Sequence, residues 1–436
     1  MPLYRDPRRK DLLYEVIKVQ TCSGEPLEVT TASGTSTYVQ PAGMAGDAFG
    51  RTRVSAPLTL FDSSHRYKDN GLWSTSSGTV GTASFDANAG LVTLNVTTTS
   101  GSEIVRETTK VFSYQPGKSL LVMSTFVMES GKAGLRQRVG YYGASNGMYL
   151  EKSNTSAPTF VERSSVTGSV VDTSVAQSSW NVDPMDGTGP SGLTLDLTKA
   201  QILWMDIEWL GLGTVRLGFV IDGKFIHCHS FNHANSITST YITTASLPLR
   251  YEIKNTTATA TTSVLKQICS TVLSEGGYEL RGLQQAIGTT ITAPYSLTTA
   301  GTFYPVVSLR LKTATLDAIV ILTAISLLGI TSANYLWRIV ATATTTGGTW
   351  VPLTDSSVEY NLTGTATTGG RIIAQGYFSS TNQTTTQIDI LKEALFRFQL
   401  ERDGLTNTPY ELSLVLTASA NTSTVHASMD WEVISR

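Results

Sequence analysis

The chain has 436 residues, which exceeds the size of one ordinary domain and favours two or three. Only 15% of the residues are charged and the formal net charge is −2, so no overall basic field exists to attract nucleic acid. The three cysteines, Cys22, Cys228 and Cys269, are odd in number and far apart, which argues against a disulfide framework. We therefore expect a reduced, multidomain protein that has no nucleic-acid partner.

The first 48 residues differ in composition from the rest of the chain. Residues 1–20 combine a basic cluster with apolar residues at roughly helical spacing, and no apolar stretch typical of a signal peptide follows the start. Residues 21–48 are rich in Gly, Ser, Thr and Pro, which is typical of an extended connector. We predict that 1–48 is a docking arm and linker, because guanidinium groups suit carboxylates on a partner surface and apolar side chains suit a groove. The predicted docking residues are Arg5, Arg8, Arg9, Lys10, Leu12, Leu13, Val16 and Ile17.

Short apolar alternations begin near residue 49 and recur between Gly, Asn, Asp and Pro residues. In one of them Leu203, Met205 and Ile207 would face one side of a strand, and Trp204, Asp206 and Glu208 the other. Asp222-Gly223 then supplies a hairpin signal, and a strand from Phe225 to Phe231 follows. Many short strands at this spacing predict a large β-sandwich over 49–283.

A second break falls near Arg281-Gly282-Leu283, after which the alternation resumes and predicts a smaller β-domain over 284–436. The most apolar stretch, Leu316 to Ile330, contains Asp317 and is too short and too polar to span a bilayer, so we expect no membrane insertion. Residues 388–398 fit either a helix or a strand.

Asp206 and Glu208 are carboxylates two positions apart on one strand face, the residue types that glycoside hydrolysis uses. The stretch Trp204-Met205-Asp206-Ile207-Glu208 partly resembles the active-site strand of jelly-roll glucanases, which carries Glu, Asp and Glu at alternate positions. Trp204 stands at the first acidic position, so the position of the nucleophile is lost. We therefore predict a solvated or pairing strand face, with no catalytic residue.

His227, Cys228, His229 and His233 are residue types that bind metals. On a regular strand His227 and His229 share one face, beside Phe225 and Phe231, and Cys228 lies opposite. Zinc requires three or four converging ligands, and a partly buried aromatic face explains this pattern as well. We predict no metal and no cofactor. The sequence also lacks a Gly-x-Ser-x-Gly elbow and a phosphate-binding Gly loop.

Five stretches of the sequence are distinctive as a set: Ala48 to Ser63, Arg106 to Lys110, Tyr114-Gln115-Pro116-Gly117-Lys118-Ser119, Leu135 to Gly140, and Ile202 to Phe231. Together they resemble a family of structural proteins of tailed phages, notably those that infect cyanobacteria. The resemblance covers about residues 45–283, and the C-terminal part looks like a second β-domain found attached to such proteins. The stretch from Trp204 to Phe231 is also similar to lectin-like jelly rolls.

The resemblance implies an all-β virion component, synthesised in the host cytoplasm, with a concanavalin-type or lectin-like jelly-roll sandwich followed by a smaller sandwich. We expect a tail-associated or fibre-associated structural protein that acts through assembly interfaces and is not an enzyme. A capsid decoration protein is the close alternative. A receptor-binding lectin module and a glycan depolymerase of the tail also stay open. The expected partners are other virion proteins, further copies of the chain, with a trimer among the options, and a host-surface glycan.

Overall fold

The computed structural model describes residues 56–78, 80–380 and 398–434, together with the backbone of three short strands at 3–5, 13–15 and 386–389. The chain divides into two compact units, residues 1–55 and residues 56–436. Within the described residues, no helix has the length and apolar character needed to cross a membrane.

In the first unit, β1 (Leu3–Arg5) and β2 (Leu13–Glu15) pair antiparallel, with Arg5 opposite Leu13. The helical spacing predicted around Leu13 is therefore wrong at that residue, because strand pairing satisfies its backbone groups instead. The remaining predicted docking residues lie outside the described part of the chain; they are Arg8, Arg9, Lys10, Leu12, Val16 and Ile17.

The first sandwich consists of two large antiparallel sheets. One is seven-stranded in the order β12-β11-β10-β9-β16-β7-β4, and the other is eight-stranded in the order β15-β14-β13-β8-β17-β6-β5, with β3 also on β17. A short 3-10 turn lies at Gln177–Ser179. The strands are β3 (Leu58–Ser64), β4 (Trp73–Ser77), β5 (Gly81–Asp86), β6 (Leu91–Val96), β7 (Glu103–Thr108), β8 (Leu120–Val127), β9 (Leu135–Tyr142), β10 (Gly147–Ser153), β11 (Thr159–Ser164), β12 (Val171–Ala176), β13 (Gln201–Ile207), β14 (Val215–Ile221), β15 (Lys224–Phe231), β16 (Leu249–Asn255) and β17 (Ser263–Ser274).

The core of this sandwich lies between the two sheets and comes from alternate residues of each strand. Val139 and Tyr141 of β9 enter it from the seven-stranded sheet, while Leu203 and Met205 of β13 enter it from the eight-stranded sheet. Each fully buried large apolar side chain contributes about 1.5–3 kcal/mol to the free energy of unfolding. The outward residues of β13 are therefore presented on a rigid support.

The second sandwich is smaller and also antiparallel. Its five-stranded sheet has the order β18-β30-β21-β26, with β19 also on β30, and its six-stranded sheet has the order β23-β24-β20-β29-β22-β25; β27 and β28 pair separately. A 3-10 turn lies at Thr313–Thr315. The strands are β18 (Leu283–Gly288), β19 (Tyr295–Leu297), β20 (Tyr304–Leu311), β21 (Val320–Gly329), β22 (Asn334–Thr346), β23 (Val351–Pro352), β24 (Val358–Asn361), β25 (Ala366–Ser379), β26 (Thr386–Asp389), β27 (Arg402–Asp403), β28 (Thr408–Pro409), β29 (Glu411–Ala418) and β30 (Ser423–Val433).

The prediction of an all-β chain, a jelly-roll type of sandwich followed by a smaller one, is confirmed. The last described strand, β30, buries Met429 and Trp431 completely. In the ambiguous region 388–398, residues 388 and 389 belong to strand β26, which pairs with β21, and residue 398 lies in a turn.

Buried polar contacts join the two sandwiches. The Arg402 guanidinium of β27 pairs with the Glu107 carboxylate of β7 at 2.8 Å and also donates to the Thr108 carbonyl. The Gln399 side-chain amide donates to the Val111 carbonyl at 2.8 Å, and Val111 itself packs against Ile319. Polar groups buried in this way need fixed partners, so the junction holds the sandwiches in one arrangement.

Residues 181–183 cover part of β15, the strand at one edge of the eight-stranded sheet. The Asn181 side chain accepts from the Ser230 N–H and donates to the Ser230 carbonyl, as a neighbouring strand would. The N–H groups of Val182 and Asp183 both donate to the Cys228 carbonyl. The edge strand β15 thus has its outward backbone groups partly occupied by its own chain.

Candidate functional site

The outer face of the eight-stranded sheet carries Trp204 and Asp206, two of the residues singled out from the sequence. Since successive side chains alternate, β13 sends Leu203, Met205 and Ile207 into the core and presents Trp204 and Asp206 on the outside. On β14, Arg216 lies opposite Asp206 and Gly218 lies opposite Trp204.

A cleft of about 430 Å³ lies at the end of this face that carries Asp206 and Glu208. Asp206 is buried there and forms an ion pair with Arg216, whose side chain is 55% exposed. Glu208, just after β13, is exposed, and its carboxylate accepts from the Thr214 N–H at 3.3 Å. The full lining is Tyr114, Gly117, Lys118, Ser119, Asp206, Glu208, Leu210, Thr214 and Arg216.

The loop between Tyr114 and Ser119 also lines the cleft. The Tyr114 hydroxyl accepts from the N–H groups of Trp209 and Leu210, each at 3.3 Å, and so holds the turn after β13 in place. Lys118 is half-buried in the wall, and no acidic side chain of the described residues forms an ion pair with it. Its ammonium group is therefore available to a ligand in the cleft.

An aromatic patch continues the same face beyond the cleft. The Trp204 ring is buried beside Phe225, with ring centroids 5.6 Å apart, and beside His227 at 5.8 Å. Gly218 makes room for this ring, because a Cβ at that position would lie 2.9 Å from the indole nitrogen. Phe225 is 55% exposed and Ile202 37% exposed. The patch thus has a buried base and two solvent-facing apolar side chains.

The prediction that His227 and His229 share a face is wrong. The pairing with β14 shifts at a β-bulge, so that Gly218 opposes His227 while Leu217 opposes His229. The extra residue is Cys228, and it returns the following residue to the other side of the sheet. His227 consequently lies on the outer face, and His229 lies on the core side beside Phe160 and Phe231.

Each of the three histidines has its own protein partners, and that of His227 is the Ser230 hydroxyl, 2.9 Å from its Nε2 atom. The His229 Nδ1 atom accepts from the Asn181 N–H at 3.2 Å, and burial lowers the pKa of His229 to about 4. Burial also works against the charged form of His233, but hydrogen bonds to the Glu162 carboxylate and the Gly213 carbonyl raise the pKa of His233 overall. No three ligand side chains converge on a metal position within the described residues.

Sequence reasoning missed Lys118, Tyr114 and the aromatic patch as parts of one surface. Gly218 was the available signal, since it stands on the outward face of its strand, between Arg216 and Val220, next to a tryptophan-bearing strand. Of the docking residues, the structure places only the backbone of Arg5 and Leu13, which are paired with each other.

Comparisons with known proteins give structural likenesses for half of the chain. No family model and no curated relative matches. The carbohydrate recognition domain of Emp47p is 13% identical and covers 50% of this chain and 96% of its own, with a TM-score of 0.34. The β-glucanase of Bacillus licheniformis is 12% identical and covers 49% of this chain and 96% of its own, with a TM-score of 0.33. A carbohydrate esterase of the Shiga toxin-encoding bacteriophage phi24B is 13% identical and covers 50% and 100%, with a TM-score of 0.30. Likenesses at this level carry no argument about ligand or activity.

Proposed function

We propose that this chain is a structural component of a tailed-phage virion, located at the tail or its fibres, and that it acts through interfaces instead of catalysis. The observation that carries the proposal is the junction between the sandwiches. Arg402 and Glu107 are both almost completely buried, and Thr109 donates to the Glu401 carboxylate beside them. A joint built from buried charges holds two domains at a fixed spacing, which is what a repeated part of a particle requires.

The geometry of the cleft supports the non-enzymatic part of the proposal. Hydrolysis of a glycosidic bond needs one protonated and one ionised carboxyl group on either side of the bond. Asp206 is ion-paired with Arg216, Glu208 accepts a backbone hydrogen bond, and the third position holds Trp204. Each of the two carboxylates thus already has a partner within the protein, and the position of the nucleophile is lost.

Immunogold labelling of purified particles tests the placement. Antibodies against residues 56–436 should decorate the tail or fibres at regular positions. Decoration of the head would instead favour the capsid decoration alternative. Particles that contain no copies of the chain would refute the proposal.

A separate assay tests the lack of hydrolysis. Incubation of the purified chain with host-surface polysaccharide should release no oligosaccharide. Glu208→Gln is the matched control, since it removes the exposed carboxylate and keeps the side chain's size. Release by the natural chain that disappears in Glu208→Gln would show that the cleft is an active site.

A further inference from the structure

The outer face along β13 points to a binding site for a neutral oligosaccharide, and we propose this role as independent of the virion placement. We call this surface the β13 strip and define it by Ile202, Trp204, Phe225, Lys118 and Glu208. Alternate residues of a strand lie about 6.6 Å apart, so the strip from Ile202 to Glu208 is about 20 Å long. That length suits several linked sugars better than one.

The apolar end of the strip exposes an aromatic ring, which suits one face of a pyranose ring. The C–H groups on one face of a pyranose are weakly positive, and the face of an aromatic ring is weakly negative. Phe225 exposes 55% of its surface, and its edge-to-face contact with the buried Trp204 fixes its orientation before any ligand binds. A pre-ordered ring loses little conformational entropy on binding.

The polar end supplies both kinds of hydrogen-bonding group that sugar hydroxyls need. The exposed Glu208 carboxylate can accept hydrogen bonds, and the Lys118 ammonium, which lines the same cleft, can donate them. Hydrogen bonds to charged groups are roughly twice as strong as those between neutral groups. Ser119 and Thr214, which both have hydroxyl side chains, line the same cleft.

The charges of the strip select a neutral ligand. Two cations, Lys118 and Arg216, line the cleft together with two carboxylates, Asp206 and Glu208. Because these charges balance, a uronic, sialylated or sulphated glycan gains no net attraction at the site. The same balance disfavours nucleic acid, whose binding depends on a surplus of Lys and Arg.

An array of defined oligosaccharides, probed with the full chain, tests the proposal. The array should contain neutral gluco-, manno-, galacto- and N-acetylhexosamine oligomers beside uronic, sialylated and sulphated ones. We expect binding to at least one neutral class, binding that grows with oligomer length, and no preference for the acidic members. Titration of the best neutral oligomer should change the intrinsic tryptophan fluorescence, to which Trp204 contributes.

Surface variants then locate the site. Phe225→Ala should raise the dissociation constant about tenfold, and Lys118→Ala should raise it by a smaller factor. Both side chains contact solvent, so neither change should unfold the chain, and circular dichroism checks this. Tyr377→Ala is the matched control: it removes an aromatic side chain that is 77% exposed in the second sandwich and should leave affinity unchanged.

Three results would overturn the proposal. The first is the absence of binding to any neutral oligomer at millimolar concentration. The second is unchanged affinity in both Phe225→Ala and Lys118→Ala, which would place the glycan elsewhere. The third is that the natural chain binds no glycan and forms an oligomer whose mass in solution falls in Phe225→Ala. That result would make the strip a contact between copies. None of these results bears on whether the chain is found in particles.

Discussion

The guanidinium of Arg402 and the carboxylate of Glu107 meet at 2.8 Å, although one belongs to the second sandwich and the other to the first. Burial raises the pKa of Glu107, and the attraction of Arg402 and Arg250 does not fully reverse that effect. Desolvation therefore exceeds the Coulombic gain for this carboxylate. The pair fixes the geometry of the junction more than it adds to its stability.

We predict that Arg402→Met destabilises the chain by about 3–5 kcal/mol, because it leaves Glu107 buried with an incomplete partner set. Urea unfolding should show the midpoint fall and the transition broaden or split. The control is Arg281→Met, which breaks an exposed pair with Glu279 and should cost at most about 1 kcal/mol.

The double variant Glu107→Gln/Arg402→Met completes the thermodynamic cycle. Its cost should be clearly smaller than the sum of the two single costs, because no uncompensated charge stays buried. Additive costs would show that the two residues act independently and that the junction depends on other contacts.

We predict that His229 makes the first sandwich sensitive to acid. Its folded pKa of about 4 lies below the ordinary value of about 6.5, so the unfolded chain takes up a proton first as the pH falls. The contribution of His229 to stability is present above about pH 6.5 and is lost progressively toward pH 4, by about 2.5 kcal/mol at pH 4.5.

His229→Gln tests this sensitivity, since the amide oxygen can still accept from the Asn181 N–H. The loss of stability between pH 7 and pH 4.5, measured from urea midpoints, should be smaller in the variant. Carboxylates that titrate in this range are common to both proteins and cancel in the comparison. Parallel pH profiles would contradict the role of His229.

Gly218→Ala should disturb the aromatic patch. The added Cβ meets the Ile226 carbonyl and the Trp204 indole nitrogen, and overpacking of this kind costs about 1–3 kcal/mol. We expect a lower urea midpoint and an altered tryptophan emission spectrum. Gly143→Ala is the control, since its Cβ would meet only Pro248, at an ordinary 3.7 Å. Equal effects of the two changes would show that the close fit at Gly218 has no special cost.

Removal of residues 1–40 should leave the sandwiches folded. Residues 56–436 form a compact unit of their own, so we expect a soluble truncated chain with unchanged far-ultraviolet dichroism per residue in the β region. If the docking-arm prediction holds, this chain should be missing from assembled particles. Normal incorporation would disprove the docking arm, and insolubility would show that the segment belongs to a domain core.

Local patterns in the sequence predicted the strands well. The alternation from Leu203 to Ile207 gives β13 with the expected faces, and Asp222-Gly223 is the turn between β14 and β15. Both residues of that turn have positive φ, 50° and 74°, as a two-residue hairpin requires.

Contacts between distant segments explain what the sequence did not predict. The bulge at Cys228 coincides with donation from the Val182 and Asp183 N–H groups to its carbonyl, and no local pattern encodes that contact. Lys118 reaches the cleft because β8 pairs with β13, so its loop ends beside Glu208. Strand order decides such neighbours, and a single sequence does not reveal it.

The hydrogen bonds between Asn181 and Ser230 also limit how copies of this chain can associate. An open sheet edge accepts a strand from the next molecule, which can offer its own edge in turn, so that growth continues into a filament without end. Here a single asparagine side chain occupies both backbone groups of Ser230. A strand from another copy therefore finds both backbone groups of Ser230 already occupied, and contacts between copies at this end of β15 must form through side chains.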